Sequence, residues 1–255
     1  MKDRINQDKW LLLAIKAAKA AGEKILDIYN QDFEVKFKKD KSPLTLADQK
    51  ANEIIESHLI NSKIPILSEE GNQPEYEQRK NWDMLWIVDP LDGTKEFVKK
   101  NGEFTVNIAL VEKGIPIIGV IFAPVKDTLY YGSYKGAFRE INEKKIQLPT
   151  KIKSQILYVV ASRSHYSKET DEYFEKLKKE KGAIEILSIG SSLKFCLVAE
   201  GSADIYPRFS PTMEWDTAAG HAIANYAGKK VIDLVSKKEI TYNRKNLKNN
   251  WFIVE

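Results

Sequence analysis

An α/β or α+β domain is the fold class that the sequence predicts, on three observations. Helical and strand-like hydrophobic patterns alternate along the whole chain of 255 residues, with no internal repeat or low-complexity tract. Strand patterns such as "IPILSEE" and "LWIVD" read as buried, so helices layer with sheets. The length suffices for one large domain or two packed lobes with a sizeable core.

The elements follow in order. Residues 7–30 carry Leu13, Ala17, Ala21, Ile25 and Ile28 at helical spacing. "TLADQKANEIIESHLI", 45–60, predicts a second amphipathic helix. "IPILSEE", 64–70, and "LWIVD", 85–89, read as short buried strands that end in acids. "FTVNIALV" and "IPIIGVIF" flank an "EKG" turn and predict a hairpin of long strands, continued by shorter ones in "TLYYGSYKGAFRE". The lysine-rich stretch 141–155 predicts a boundary between an N-terminal lobe, 1–145, and a C-terminal lobe, 146–255, within one catalytic unit. Beyond it come a strand ("ILYVVA"), a solvated helix ("KETDEYFEKLKKEK"), a strand ("EILSI"), a buried helix ("SSLKFCLVAE") and a strand ("ADIYPR"). "WDTAAGHAIANYAG" predicts a helix with Gly228 at its C-terminal cap, and "KVIDLV" and "WFIVE" give short strand signals.

Composition narrows the function. Forty basic against 36 acidic residues leave a formal net charge of +4, which argues against a dedicated nucleic-acid binder. The single cysteine, Cys196, excludes an intrachain disulfide and a cysteine zinc site, and suits a small buried apolar residue. "MKDRINQDKW" lacks a signal-peptide core, and no apolar run approaches the ~18 residues of a membrane span, so a cytoplasmic protein is expected.

The chemistry concentrates in "WIVDPLDGTKEF", 86–97. Asp89 ends the apolar run. Pro90 fixes its own φ and bars a helical conformation at Asp89, so the strand should turn and bring Asp92 back beside Asp89. Two carboxylates and the Leu91 carbonyl suit a hard cation such as Mg²⁺, whereas the three scattered histidines give little support for zinc or copper. Gly93 and Thr94 then offer backbone N–H groups that can accept a phosphate. The same residues also suit a plain turn. Two further acidic sites favour the metal reading. In "LSEE" only one of Glu69 and Glu70 can face the site, because adjacent strand residues point opposite ways. In "EWDTAAGHAI" Asp216 sits where a helix begins, either as its N-cap or as a metal ligand. Asp48 fits a capping box with Thr45, or a carboxylate that takes a proton from Thr94. Lys194 lies on an otherwise apolar helix, where its charge requires solvent or an anionic partner.

"LSEE", "WIVDPLDGTKEF" and "EWDTAAGHA" resemble the three motifs of the lithium-sensitive inositol monophosphatase superfamily. "NGEFTVNIALVEKGIPIIGVIFAP", "SRSH", "SIGSSLKFCLVAEGSADIYPR" and "WDTAAGHAIA" narrow the resemblance to its 3′(2′),5′-bisphosphate nucleotidases of the CysQ type, over roughly residues 8–235. The resemblance implies an αβαβα sandwich. It implies Mg²⁺-dependent removal of the 3′-phosphate of adenosine 3′,5′-bisphosphate, with 3′-phosphoadenylyl sulfate as a second substrate, in the clearance of a sulfate-assimilation by-product. It implies a first metal on Glu69, Asp89 and the Leu91 carbonyl, and a second on Asp89, Asp92 and Asp216. Gly93 and Thr94 would hold the scissile phosphate, Asp48 would orient Thr94, and His165, Gly190, Ser191, Lys194 and Arg208 would line the nucleotide site. Related enzymes associate peripherally with the cytoplasmic face of the inner membrane, although no amphipathic anchor is evident here. Two alternatives stand: an inositol or sugar-phosphate phosphatase, and a metal- and nucleotide-binding module without turnover.

Overall fold

The computed structural model describes residues 2–30, 35–37, 43–71, 73–150, 156–163 and 167–255. The N-terminal helix α1 spans Lys2–Tyr29. The strands β1 (Val35–Phe37) and β2 (Pro43–Thr45) pair as a small hairpin and lead into α2 (Leu46–Leu59). There follow β3 (Ile66–Ser68), α3 (Tyr76–Arg79), β4 (Met84–Asp92), α4 (Thr94–Val98), β5 (Thr105–Glu112), β6 (Ile115–Ala123), β7 (Thr128–Ser133), β8 (Gly136–Ile141) and β9 (Lys144–Gln147). These seven strands form one sheet in the order β3-β4-β5-β6-β7-β8-β9, antiparallel except for the β3–β4 pair. The chain continues through β10 (Leu157–Ser162), α5 (Lys168–Lys181), β11 (Ile184–Ile189), α6 (Leu193–Glu200), β12 (Tyr206–Arg208), α7 (Glu214–Tyr226), β13 (Val231–Asp233) and β14 (Phe252–Val254).

Five layers result. On β4, Trp86 and Val88 face the α1–α2 layer, where Ala17, Ala21, Ile25, Ala51 and Ile55 are fully buried. Leu85 and Ile87 face the opposite way, onto α6 and α7. Both faces of the large sheet are therefore covered, which explains why β4 and β5 read as unbroken apolar runs. Beyond α6 and α7 lies the parallel pair β10–β11. Val160 packs toward α6 and α7, while Val159 and Ala161 pack against Phe174 and Leu177 of α5. This is the expected αβαβα sandwich. The lysine-rich stretch is not wholly a linker, because its first part forms β9 at the free edge of the large sheet. Lysines there discourage edge-to-edge pairing. No helix among the described residues is long and apolar enough to cross a membrane.

Candidate active site

The acidic residues converge at one end of the large sheet. Glu69 follows β3, and its N–H donates to the Val88 carbonyl at 3.1 Å, so the parallel β3–β4 pairing brings it alongside Asp89. Asp89 is 1% exposed, and its Oδ1 accepts the Leu91 N–H at 3.1 Å. The strand does not end at Asp89, as the sequence predicts. It bulges: Asp89 pairs with Asn107 and Asp92 with Thr105, so Pro90 and Leu91 face a single residue of β5. Proline cannot donate to the ladder, and the chain absorbs that loss locally and then re-pairs. Asp216 arrives from the opposite layer, in the first turn of α7. It is not the N-cap. Met213 holds that place, and Asp216 Oδ2 accepts the Met213 N–H at 2.8 Å. One carboxylate oxygen from each of Glu69, Asp89 and Asp216 lies within 4.8 Å of the others. Glu70 points elsewhere, into a neighbouring cleft beside Asn52 and Glu56.

Such a cluster repels itself. Burial, then Glu69, Asp92, Asp216 and Asp48 in turn, push the Asp89 carboxyl well above the usual carboxylate range. Burial, then Asp92 and Glu69, likewise raise Asp216. Burial raises Asp92 too, opposed by Lys194 and by a hydrogen bond from Asn107. Neighbouring acids cannot all ionise in a dry site without a cation between them, and an all-oxygen donor set suits a hard one. The residues present therefore fit a divalent metal. Asp48 is 2% exposed on α2, and its charge reaches Asp89, while the side chain of Thr45 lies outside the described residues. Gly93 opens α4 with a φ of 95°, a conformation that favours glycine. The Thr94 hydroxyl donates to the Leu91 carbonyl at 3.5 Å.

A basic wall faces the acids. Asp92, Asp216, Ser191, Lys194, Tyr206 and Arg208 line one cleft. Lys194 is 6% exposed; its ammonium donates to the Ser191 carbonyl and lies 5.7 Å from the Tyr206 ring centroid. Burial pulls its pKa down to about 8, with Asp92 opposing. Arg208 donates to the Pro211 carbonyl at 3.2 Å, and its buried Nε lacks a hydrogen-bond partner among the described residues. Ser191 adopts a positive φ of 48°, and the Gly190 N–H donates to Glu103. His165 lies outside the described residues. Cys196 is fully buried, and burial raises its thiol pKa, so it is a core residue.

Sequence reasoning missed the polar support beneath these groups. Asn107 donates to Asp92 at 3.4 Å and accepts from Ser192 Oγ at 2.7 Å, with Thr105 completing the set. A lone asparagine inside "TVNIALV" is the signal, because a buried amide needs partners. Glu214, fully buried, accepts the Asn243 and Arg244 N–H groups at 2.7 and 3.0 Å, and so fastens the start of α7 to the C-terminal segment.

The family model described as the inositol monophosphatase family matches residues 6–251. The chain is 49% identical over 224 residues to the 3′(2′),5′-bisphosphate nucleotidase CysQ of Salmonella typhimurium, covering 86% of this chain and 89% of that protein. Among solved structures, CysQ from Bacteroides thetaiotaomicron, a bacterial member of the inositol monophosphatase family, superposes with a TM-score of 0.90 at 50% identity, covering 97% of both chains. An IMPase of Thermotoga maritima superposes with a TM-score of 0.77 at 27% identity, covering 97% of this chain and 92% of that one.

Proposed function

The chain belongs to the inositol monophosphatase family, and from that premise we propose that it hydrolyses the 3′-phosphate of adenosine 3′,5′-bisphosphate, leaving AMP and inorganic phosphate. This is the activity of a 3′(2′),5′-bisphosphate nucleotidase, a phosphoric monoester hydrolase. The observation that carries it is that Asp216, one of the three clustered carboxylates, also lines, with Asp92, the cleft of the two buried bases Lys194 and Arg208. Inositol monophosphate has no second phosphate to offer those bases.

Glu69, Asp89, Asp92, Asp216 and the Leu91 carbonyl would hold Mg²⁺, Asp89 belonging to both proposed metal sets. Bound there, the metal supplies charge stabilisation at the phosphoryl oxygens and lowers the pKa of its water. The chain's own residues do the rest. The N–H groups of Gly93 and Thr94 cradle the scissile phosphate at the opening of α4. The Thr94 hydroxyl orients the attacking water, and in the reaction Asp48 would take its proton in place of the Leu91 carbonyl, which accepts it in the structure. Lys194, with Arg208 and Ser191, binds the 5′-phosphate, and His165 and Gly190 border the nucleoside. Burial makes the ammonium of Lys194 costly without an anion, so the 5′-phosphate gains a charge-assisted contact.

Phosphate release from adenosine 3′,5′-bisphosphate tests this. Activity should require Mg²⁺, vanish in excess chelator and return when Mg²⁺ is restored. Full turnover in chelator would exclude the metal-dependent mechanism.

A further inference from the structure

Two helix entrances meet behind the cleft. Gly93 and Thr94 open α4, and Gly190 to Ser192 lead into α6, which carries Lys194. Glu103, in the turn that enters β5, lies between them. Its carboxylate accepts Arg163 Nε at 2.8 Å and Arg163 Nη2 at 2.9 Å, and its Oε2 also accepts the Gly190 N–H at 2.8 Å. Arg163 follows β10, and its Nη2 also donates to the Ser188 carbonyl of β11 at 2.8 Å. Glu103 therefore ties the large sheet to the ends of both strands of the parallel pair. The packing is close as well. A Cβ on Gly190 would lie 2.9 Å from the Glu103 carbonyl oxygen, and one on Gly93 would lie 3.2 Å from the same atom and 3.3 Å from Ser191 Cβ.

Resting on the functional reading above, we propose that Glu103 and Arg163 form a latch that sets the separation of the scissile-phosphate cradle from the nucleotide pocket. Arg163 is then a specificity-determining positioning residue. A substrate with two phosphates must satisfy Thr94 and Lys194 at once, so it senses that separation. A 3′-monophosphate lacks the contact to Lys194 and is less sensitive to it. The fork of the guanidinium, and not its charge alone, carries the geometry, because two parallel N–H bonds fix orientation. Displacements near 1 Å can cost as much as ~100-fold in rate.

The test compares kcat/KM for adenosine 3′,5′-bisphosphate and for 3′-AMP in the wild type, Arg163→Ala and Arg163→Lys, each with Mg²⁺. The Arg163 side chain is 46% exposed, so its loss should cost the fold little. Arg163→Ala should lower the bisphosphate-to-monophosphate ratio about tenfold, mainly through KM for the bisphosphate. Arg163→Lys, which keeps the charge but loses the fork, should restore only part of the ratio. An unchanged ratio in Arg163→Ala, or full rescue by lysine, overturns the latch. A wild type that does not prefer the bisphosphate overturns the functional reading and the latch together, whereas a wild-type preference left intact by Arg163→Ala overturns the latch alone.

Discussion

Asp89 shows how one side chain can serve function at the expense of the metal-free fold. It is 1% exposed, and four other carboxylates act on it. Its pKa is raised above the value in an unfolded chain, first by burial and then by Glu69. The sign follows. At pH 7 the unfolded chain ionises Asp89 freely while the native state resists, so the residue destabilises the metal-free protein. That penalty fades as pH falls toward about 4, where the unfolded carboxyl also binds its proton. Asp89→Asn should therefore raise the melting temperature in chelator at pH 7, and the gain should shrink toward pH 4. With Mg²⁺ the wild type should gain more stability than the variant, since ligands stabilise the state that binds them. Turnover should fall by roughly 100-fold or more, because an amide replaces the shared ligand in both proposed metal sites. A fully active Asp89→Asn enzyme would contradict the shared-ligand role.

At the scale of elements, α7 carries the site. Its buried residues include Ala218, Ala219, Gly220 and Ala222, and its backbone rests directly on the sheet. A Cβ on Gly119 of β6 would lie 2.2 Å from the Ala219 carbonyl oxygen, and one on Gly220 would lie 2.4 Å from Phe195 Cγ. Gly119→Ala should force α7 outward. We expect a loss of roughly 1–3 kcal/mol in denaturant unfolding, typical of overpacking, together with reduced turnover as Asp216 moves. Unchanged stability would mean that the helix shifts freely. Much of this element was legible. "WDTAAGHAIA" reads as a buried helix, and its acid falls in the first turn, where it meets Glu69 and Asp89. The sequence did not reveal that Met213 takes the cap and Asp216 the third helical place, since methionine is no capping residue. Nor did it reveal that β4 resumes pairing after Pro90, because re-pairing depends on β5. Lys194 stood out as a charge on an apolar helix. Glu103 and Arg163 did not, because their contact joins distant parts of the chain and neither breaks a local pattern.

In the whole molecule, the acids come from the large sheet and α7, and the bases from α6 and β12. The cleft therefore exists only where N- and C-terminal halves pack together, and we read the two lobes as one catalytic unit. On the proposed function, the reacting bond lies at the acids and the specificity at the bases. The most direct test is kcat/KM of the wild-type protein with Mg²⁺ for adenosine 3′,5′-bisphosphate against inositol 1-phosphate. A charge-assisted contact to the second phosphate is worth on the order of 1.5–3 kcal/mol. The bisphosphate should therefore be preferred by at least about tenfold to a hundredfold. Equal values for the two esters, or a preference for inositol 1-phosphate, would contradict the assignment of the basic wall and the nucleotidase function that rests on it.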